Sequence, residues 1–204
     1  MASTRSILVL TVSSCALLLS GCGESTTPSE TEPSTTAAVA WADGVCAASA
    51  DLRASVRSGQ TLQLAPAGSR ASLDEARTQV RDRVAETRQS AAALNTAVTA
   101  VPPEAGAEVE EAQRQLAAQA DDVRMEVDQL GTAADEVAAA NSARAMGTAL
   151  VGVKNALSDA AREVTALVGL LRDTTTGAGQ SVRDAFGAAP ACQKLDATPA
   201  PTSS

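Results

Sequence analysis

Histidine and tyrosine are absent from this 204-residue chain, and tryptophan and phenylalanine occur once each, as Trp41 and Phe186. Without histidine the usual general base and the commonest metal ligand are missing. The many serines therefore lack the base that most often activates them. Scarce aromatics weigh against a sheet protein, which normally draws on aromatic and β-branched residues. Lysine is nearly missing as well, with Lys154 and Lys194 only. No Gly-rich phosphate loop, calcium loop or zinc spacing occurs. No cofactor, no metal and no enzymatic activity are expected. What is abundant is alanine, within a hydrophobic content of 45%. Alanine loses no side-chain entropy in a helix, so the composition points to an all-α fold.

The formal net charge is −8, and Arg5 is the only charged residue before Cys22. Such an acidic balance favours solubility and repels polyanions, so no nucleic-acid partner is expected. Acidic clusters stand at Glu108–Glu111, Asp121-Asp122, Glu126–Asp128 and Asp135-Glu136. All fall off the apolar seams described below, on faces that solvent should cover. A hydrolase would need two of these carboxylates to converge in a cleft.

The N-terminus reads MASTRSILVLTVSSCALLLSGC. Arg5 gives a short basic region, and Ile7 to Leu19 is apolar but too short and Ser-interrupted to favour a spanning helix. It ends in Leu19-Ser20-Gly21-Cys22. This run resembles the lipobox of bacterial lipoproteins, which implies a signal peptide over 1–21, diacylglycerol on the Cys22 sulfur and cleavage before it. Two or three acyl chains on one residue make a stable anchor. The expected location is the cell membrane, lipid-anchored on the extracytoplasmic face. Residues 22–36 continue as a Ser/Thr/Pro tether without the apolar content to build a core.

Four helical segments follow, within a domain expected over 37–196. The first covers Ala38 to Arg57, with Trp41, Val45, Leu52 and Val56 on one face. Trp41 reads as a core anchor. Ser58 to Ala71 reads as a loop, with turns at Gly59, Pro66 and Gly68. Leu62 and Leu64 in it fold over the end of a bundle or form a contact site. Ser72-Leu73-Asp74-Glu75 fits a capping box opening the second helix, which Pro102-Pro103 ends. The third helix opens at Pro103 and runs to about Ala139. Its seam is Val109, Ala112, Leu116, Ala120, Val123, Val127, Leu130, Ala134 and Val137, whose gaps after the first two steps alternate between four and three, the mark of helices packed along one another. A turn at Asn141-Ser142 leads to a fourth helix, Ala143 to Arg172, with one continuous bent helix as the alternative. Gly147, Gly152 and Gly169 inside the fourth helix mark close backbone approach or a groove that admits a ligand. The TTTGAG run from Thr174 breaks the pattern. A short helix at Ser181–Phe186 follows, and 197–204 is a disordered tail.

Cys15 leaves with the signal and Cys22 is lipidated, so Cys46 and Cys192 remain to pair outside the membrane. An antiparallel up-down four-helix bundle brings the start of the first helix and the end of the fourth to one end, where both cysteines lie. Fusing the third and fourth helices would send the tail to the far end.

Trp41-Ala42-Asp43-Gly44-Val45-Cys46, the Ala/Val/Leu helices and Ala189-Pro190-Ala191-Cys192 resemble a loose group of actinobacterial exported helical proteins. That group brings no established activity. The chain is expected to act as a non-enzymatic interaction or structural module of the cell envelope, with an envelope protein as partner. The alternative is a bundle that binds a small molecule or lipid. Cys22 is the lipidation site, and Leu62, Leu64, Gly147 and Gly152 are the candidate contact residues.

Overall fold

The computed structural model describes residues 33–61 and 70–197. Among them there is no strand. The helices are α1 (Pro33–Gln60), α2 (Arg70–Thr99), α3 (Ala107–Ala139), α4 (Ala143–Gly177), α5 (Gln180–Ala188) and α6 (Pro190–Ala197), with one 3-10 turn at Pro103–Ala105. The four long helices pack side by side: α1 lies against α2 and α4, and α3 against the same two. The two short helices pack on α1.

The apolar periodicity decides which faces turn inward. Every residue of the α3 seam is buried except Ala134, which is half-buried against the same cluster. On α1, Trp41, Val45, Leu52 and Val56 are buried. Buried hydroxyls do not disturb this interior, because Ser49, Ser55, Thr87 and Thr174 donate to carbonyls three or four residues earlier in their own helices.

Several boundaries move from the expected ones. Helix α1 begins at Pro33, inside the stretch read as tether, since proline is well placed in a first turn. It also continues through Gly59, which is not a turn residue. A Cβ there would stand 2.8 Å from Leu157 Cδ2, so this glycine lets α1 and α4 close on each other. Helix α2 starts at Arg70, and Ser72 lies in its first turn instead of capping it. Pro102-Pro103 follows the end of α2 at Thr99 but does not open α3. The chain makes one 3-10 turn and is re-aimed at Gly106, whose φ of 86° only glycine adopts without strain.

Helices α3 and α4 are separate. Ser142 caps α4, its Oγ accepting from the Ala145 N–H at 3.2 Å. Helix α4 runs past Arg172 to Gly177. Thr174 and Thr176 do not break it, because their hydroxyls bond back one turn to Leu170 and Arg172.

Cys46 and Cys192 form a disulfide, with Cα atoms 5.0 Å apart. Two carboxylates reinforce the same region. The Asp43 side chain on α1 accepts the Ala191 N–H at 2.7 Å, at the start of α6. Glu108 on α3 accepts the Ser181 N–H at 3.1 Å, at the start of α5. Helix α5 has no side-chain cap of its own. Each short helix thus has a first-turn donor, which would otherwise face solvent or nothing, satisfied by a charge from a long helix.

The interior falls into two clusters. The larger one joins all six helices and includes Trp41, the cystine and Phe186. Among the described residues the smaller one is built from α2, α3, α4 and the α3–α4 link, around Val80, Leu130, Met146 and Leu157. Helix α1 ends at Gln60 and adds no buried apolar side chain to it, meeting it only where Gly59 comes against Leu157.

Candidate functional site

Where α1 runs out, a cavity of about 350 Å³ opens between α2 and α4. Val80 and Val84 line it from α2, Leu150, Val153 and Leu157 from α4, and Leu130 from α3. Gly59 and Gln60 at the end of α1 close one side. Its volume lies at the low end of the range for small-molecule sites, and its lining is mainly apolar, as such sites usually are. Two cations join that lining. Arg83 is paired with Glu86 on its own helix at 2.8 Å, and Lys154 is exposed on α4.

The valines and leucines of this cavity belong to the predicted seams. The cavity itself has a cause no seam carries, because it depends on where α1 stops. Of the predicted contact residues, Leu62 and Leu64 lie outside the described residues, as does the lipidation site Cys22. Gly147 is exposed with open space about it. Gly152 is half-buried, and a Cβ there would stand 3.7 Å from a Glu136 carboxylate oxygen and 3.9 Å from the Ala133 methyl, an ordinary contact. Neither glycine lines the cavity, which takes in α4 at Leu150 and from Val153 onward. Trp41 is a core residue. Its Nε1 donates to the Val98 carbonyl at 3.3 Å, and Phe186 meets its ring edge-on at a centroid distance of 5.6 Å.

The acidic clusters of α3 stand apart from the cavity. Asp121 and Asp128 both face Arg124 at 3.4 and 3.6 Å. A broad groove between α3, the end of α4 and the Ala178-Gly179 link gathers Glu108, Glu111 and Asp173. Glu108 already holds the start of α5. Glu111 accepts hydrogen bonds from Arg114 and Gln115, and these, the Arg114 bond first, hold its carboxyl below the ordinary range. A carboxyl lowered in this way stays ionised and is poorly suited to donate a proton. Among the described residues no group of three Cys, Asp or Glu side chains is arranged to hold a metal ion. No described helix is long and apolar enough to cross a membrane.

No protein-family model matches the chain, and no curated protein or solved structure is significantly similar to it. The candidate site rests on this chain's own geometry: an apolar slot with a basic side chain on each of its two facing helices, placed where α1 ends.

Proposed function

We propose that the chain is an extracytoplasmic lipoprotein, held to the membrane through Cys22, whose helical bundle engages an envelope protein without catalysing a reaction. The observation that carries this reading is the pairing of Cys46 with Cys192 in a chain that opens with a lipobox-like Leu19-Ser20-Gly21-Cys22. A structural disulfide persists in an oxidising compartment, and a lipobox sends the chain to one.

We read the four long helices as an antiparallel up-down bundle. The three-residue link over 140–142 between α3 and α4 supports this. So do the bond from Gln119 Nε2 to Glu163 Oε2 at 3.1 Å and the approach of Glu136 to Gly152, since position rises along α3 as it falls along α4. In that arrangement the tether enters at the cystine end, and the cavity and the turn at Asn141 face away from the membrane. The distal end is then the surface offered to a partner.

The cavity favours a second reading, a bundle that takes up a small apolar molecule or lipid. Two measurements separate these ideas. Cys22→Ala should move the protein from the membrane fraction to the soluble one, and a variant that stays attached would remove the lipoprotein reading. Native mass spectrometry after mild crosslinking in the envelope should give a bare protomer mass and a crosslinked protein. A reproducible small added mass with no crosslinked protein would replace the interaction reading with the ligand-binding one.

A further inference from the structure

The cavity between α2 and α4 is graded from floor to rim. Val80, Val84, Leu130 and Leu157 are buried, so its depth is aliphatic. Its charged groups stand at the surface: Lys154 is exposed, and the Arg83 side chain is nearly half exposed. They come from facing helices, and no described carboxylate shares the lining. A cavity that is aliphatic within and cationic at its edge has the polarity of an amphiphile held tail first, with its head left in water.

The charge at the rim is small. Glu86 already offsets Arg83 at 2.8 Å. Lys154 forms no ion pair among the described residues, and Ser158, which also lines the cavity, donates its hydroxyl to the Lys154 carbonyl at 3.0 Å. The rim therefore holds one positive charge in excess. A singly charged anion cancels it, and a cation is repelled. A phosphate monoester, at about −1.5 to −2 at neutral pH, overshoots it. Exposed ion pairs are weak in water, so the rim selects the head while burial of the tail supplies most of the affinity. At about 350 Å³ the cavity is small for a ligand site, which suits one short chain and excludes a two-tailed lipid.

We propose that this cavity binds a single-chain amphiphile with one negative charge, a medium-chain fatty carboxylate, its tail against Leu130 and Leu157 and its head between Arg83 and Lys154. The proposal rests on the second reading above, that the cavity takes up a small apolar molecule or lipid, and names the class of that molecule.

Photolabelling of the full chain in its own membrane tests both ideas. The probes are decanoic acid and decanol, each bearing a diazirine near the end of its chain, with the unlabelled compound as competitor and labelled peptides identified by mass spectrometry. Decanoate should label the α2 and α4 peptides that carry Val84 and Leu157, and excess competitor should remove that label. R83Q/K154Q should raise the decanoate concentration needed for half-labelling by about tenfold and leave decanol labelling at the parental level, which also shows the variant to be folded. R114Q/R124Q, which removes two arginines from α3, should label like the parent. Label from decanol alone, or a decanoate response that R83Q/K154Q leaves unchanged or loses together with that of decanol, overturns the carboxylate class while the apolar-ligand reading stands. No competable label from either probe on these peptides of the parent overturns both.

Discussion

Trp41→Ala should cost about 3–5 kcal/mol of stability, the range for removing a large buried aromatic. The indole is 5% exposed and joins three elements at once. It rises from α1, donates to the Val98 carbonyl near the end of α2, and receives Phe186 of α5 edge-on. In an interior made mostly of alanine, valine and leucine, few neighbours are large enough to relax into the space it would leave. Trp41→Phe should cost less, losing the indole donor but keeping an aromatic ring. A Trp41–Phe186 double-mutant cycle should return a coupling of about 0.5–1.5 kcal/mol. Denaturant melts of the four proteins check this, and additive losses would show that the ring contact adds nothing beyond burial.

Removing the cystine should follow closely in size. Cys46 and Cys192 are 146 positions apart, so the bond constrains most of the unfolded chain. Chain entropy sets an upper figure near 5 kcal/mol for such a loop, and measured losses are usually about 2–4 kcal/mol. Cys46→Ser with Cys192→Ser should therefore lower the melting temperature by about 10 °C for a domain of this size. Reductant should lower the parent by a similar amount and leave the double variant unmoved. A parent that melts at the same temperature with and without reductant would show that the packed helices hold the ends together unaided.

The all-helical fold was legible because its information is periodic. Alternating gaps of three and four fix which face of α3 is buried without reference to any partner. The cysteine pair was legible because few cysteines remained to choose among. What sequence reading missed depends on partners far along the chain. Gly59 resembles any turn glycine until Leu157 is brought against it. Asp43 is an unremarked acid beside Trp41 until Ala191 presents its N–H. Pro102-Pro103 signals an ending, but nothing local says that three more residues and a positive φ at Gly106 precede α3. The cavity shares this property. Each of its apolar residues was readable as interior, whereas the space between them follows from the stopping point of a different helix.

The borrowed caps of α5 and α6 have a consequence for the order in which the molecule assembles. These helices are nine and eight residues long, below the length at which an isolated helix holds in water. The carboxylates at their first turns belong to α1 and α3, which are made much earlier. These two helices, made after the four long ones, therefore have no stable form of their own and are templated by α1 and α3. Closure is a late, long-range event, and until it occurs the valine and phenylalanine face of α5 has nothing to cover it.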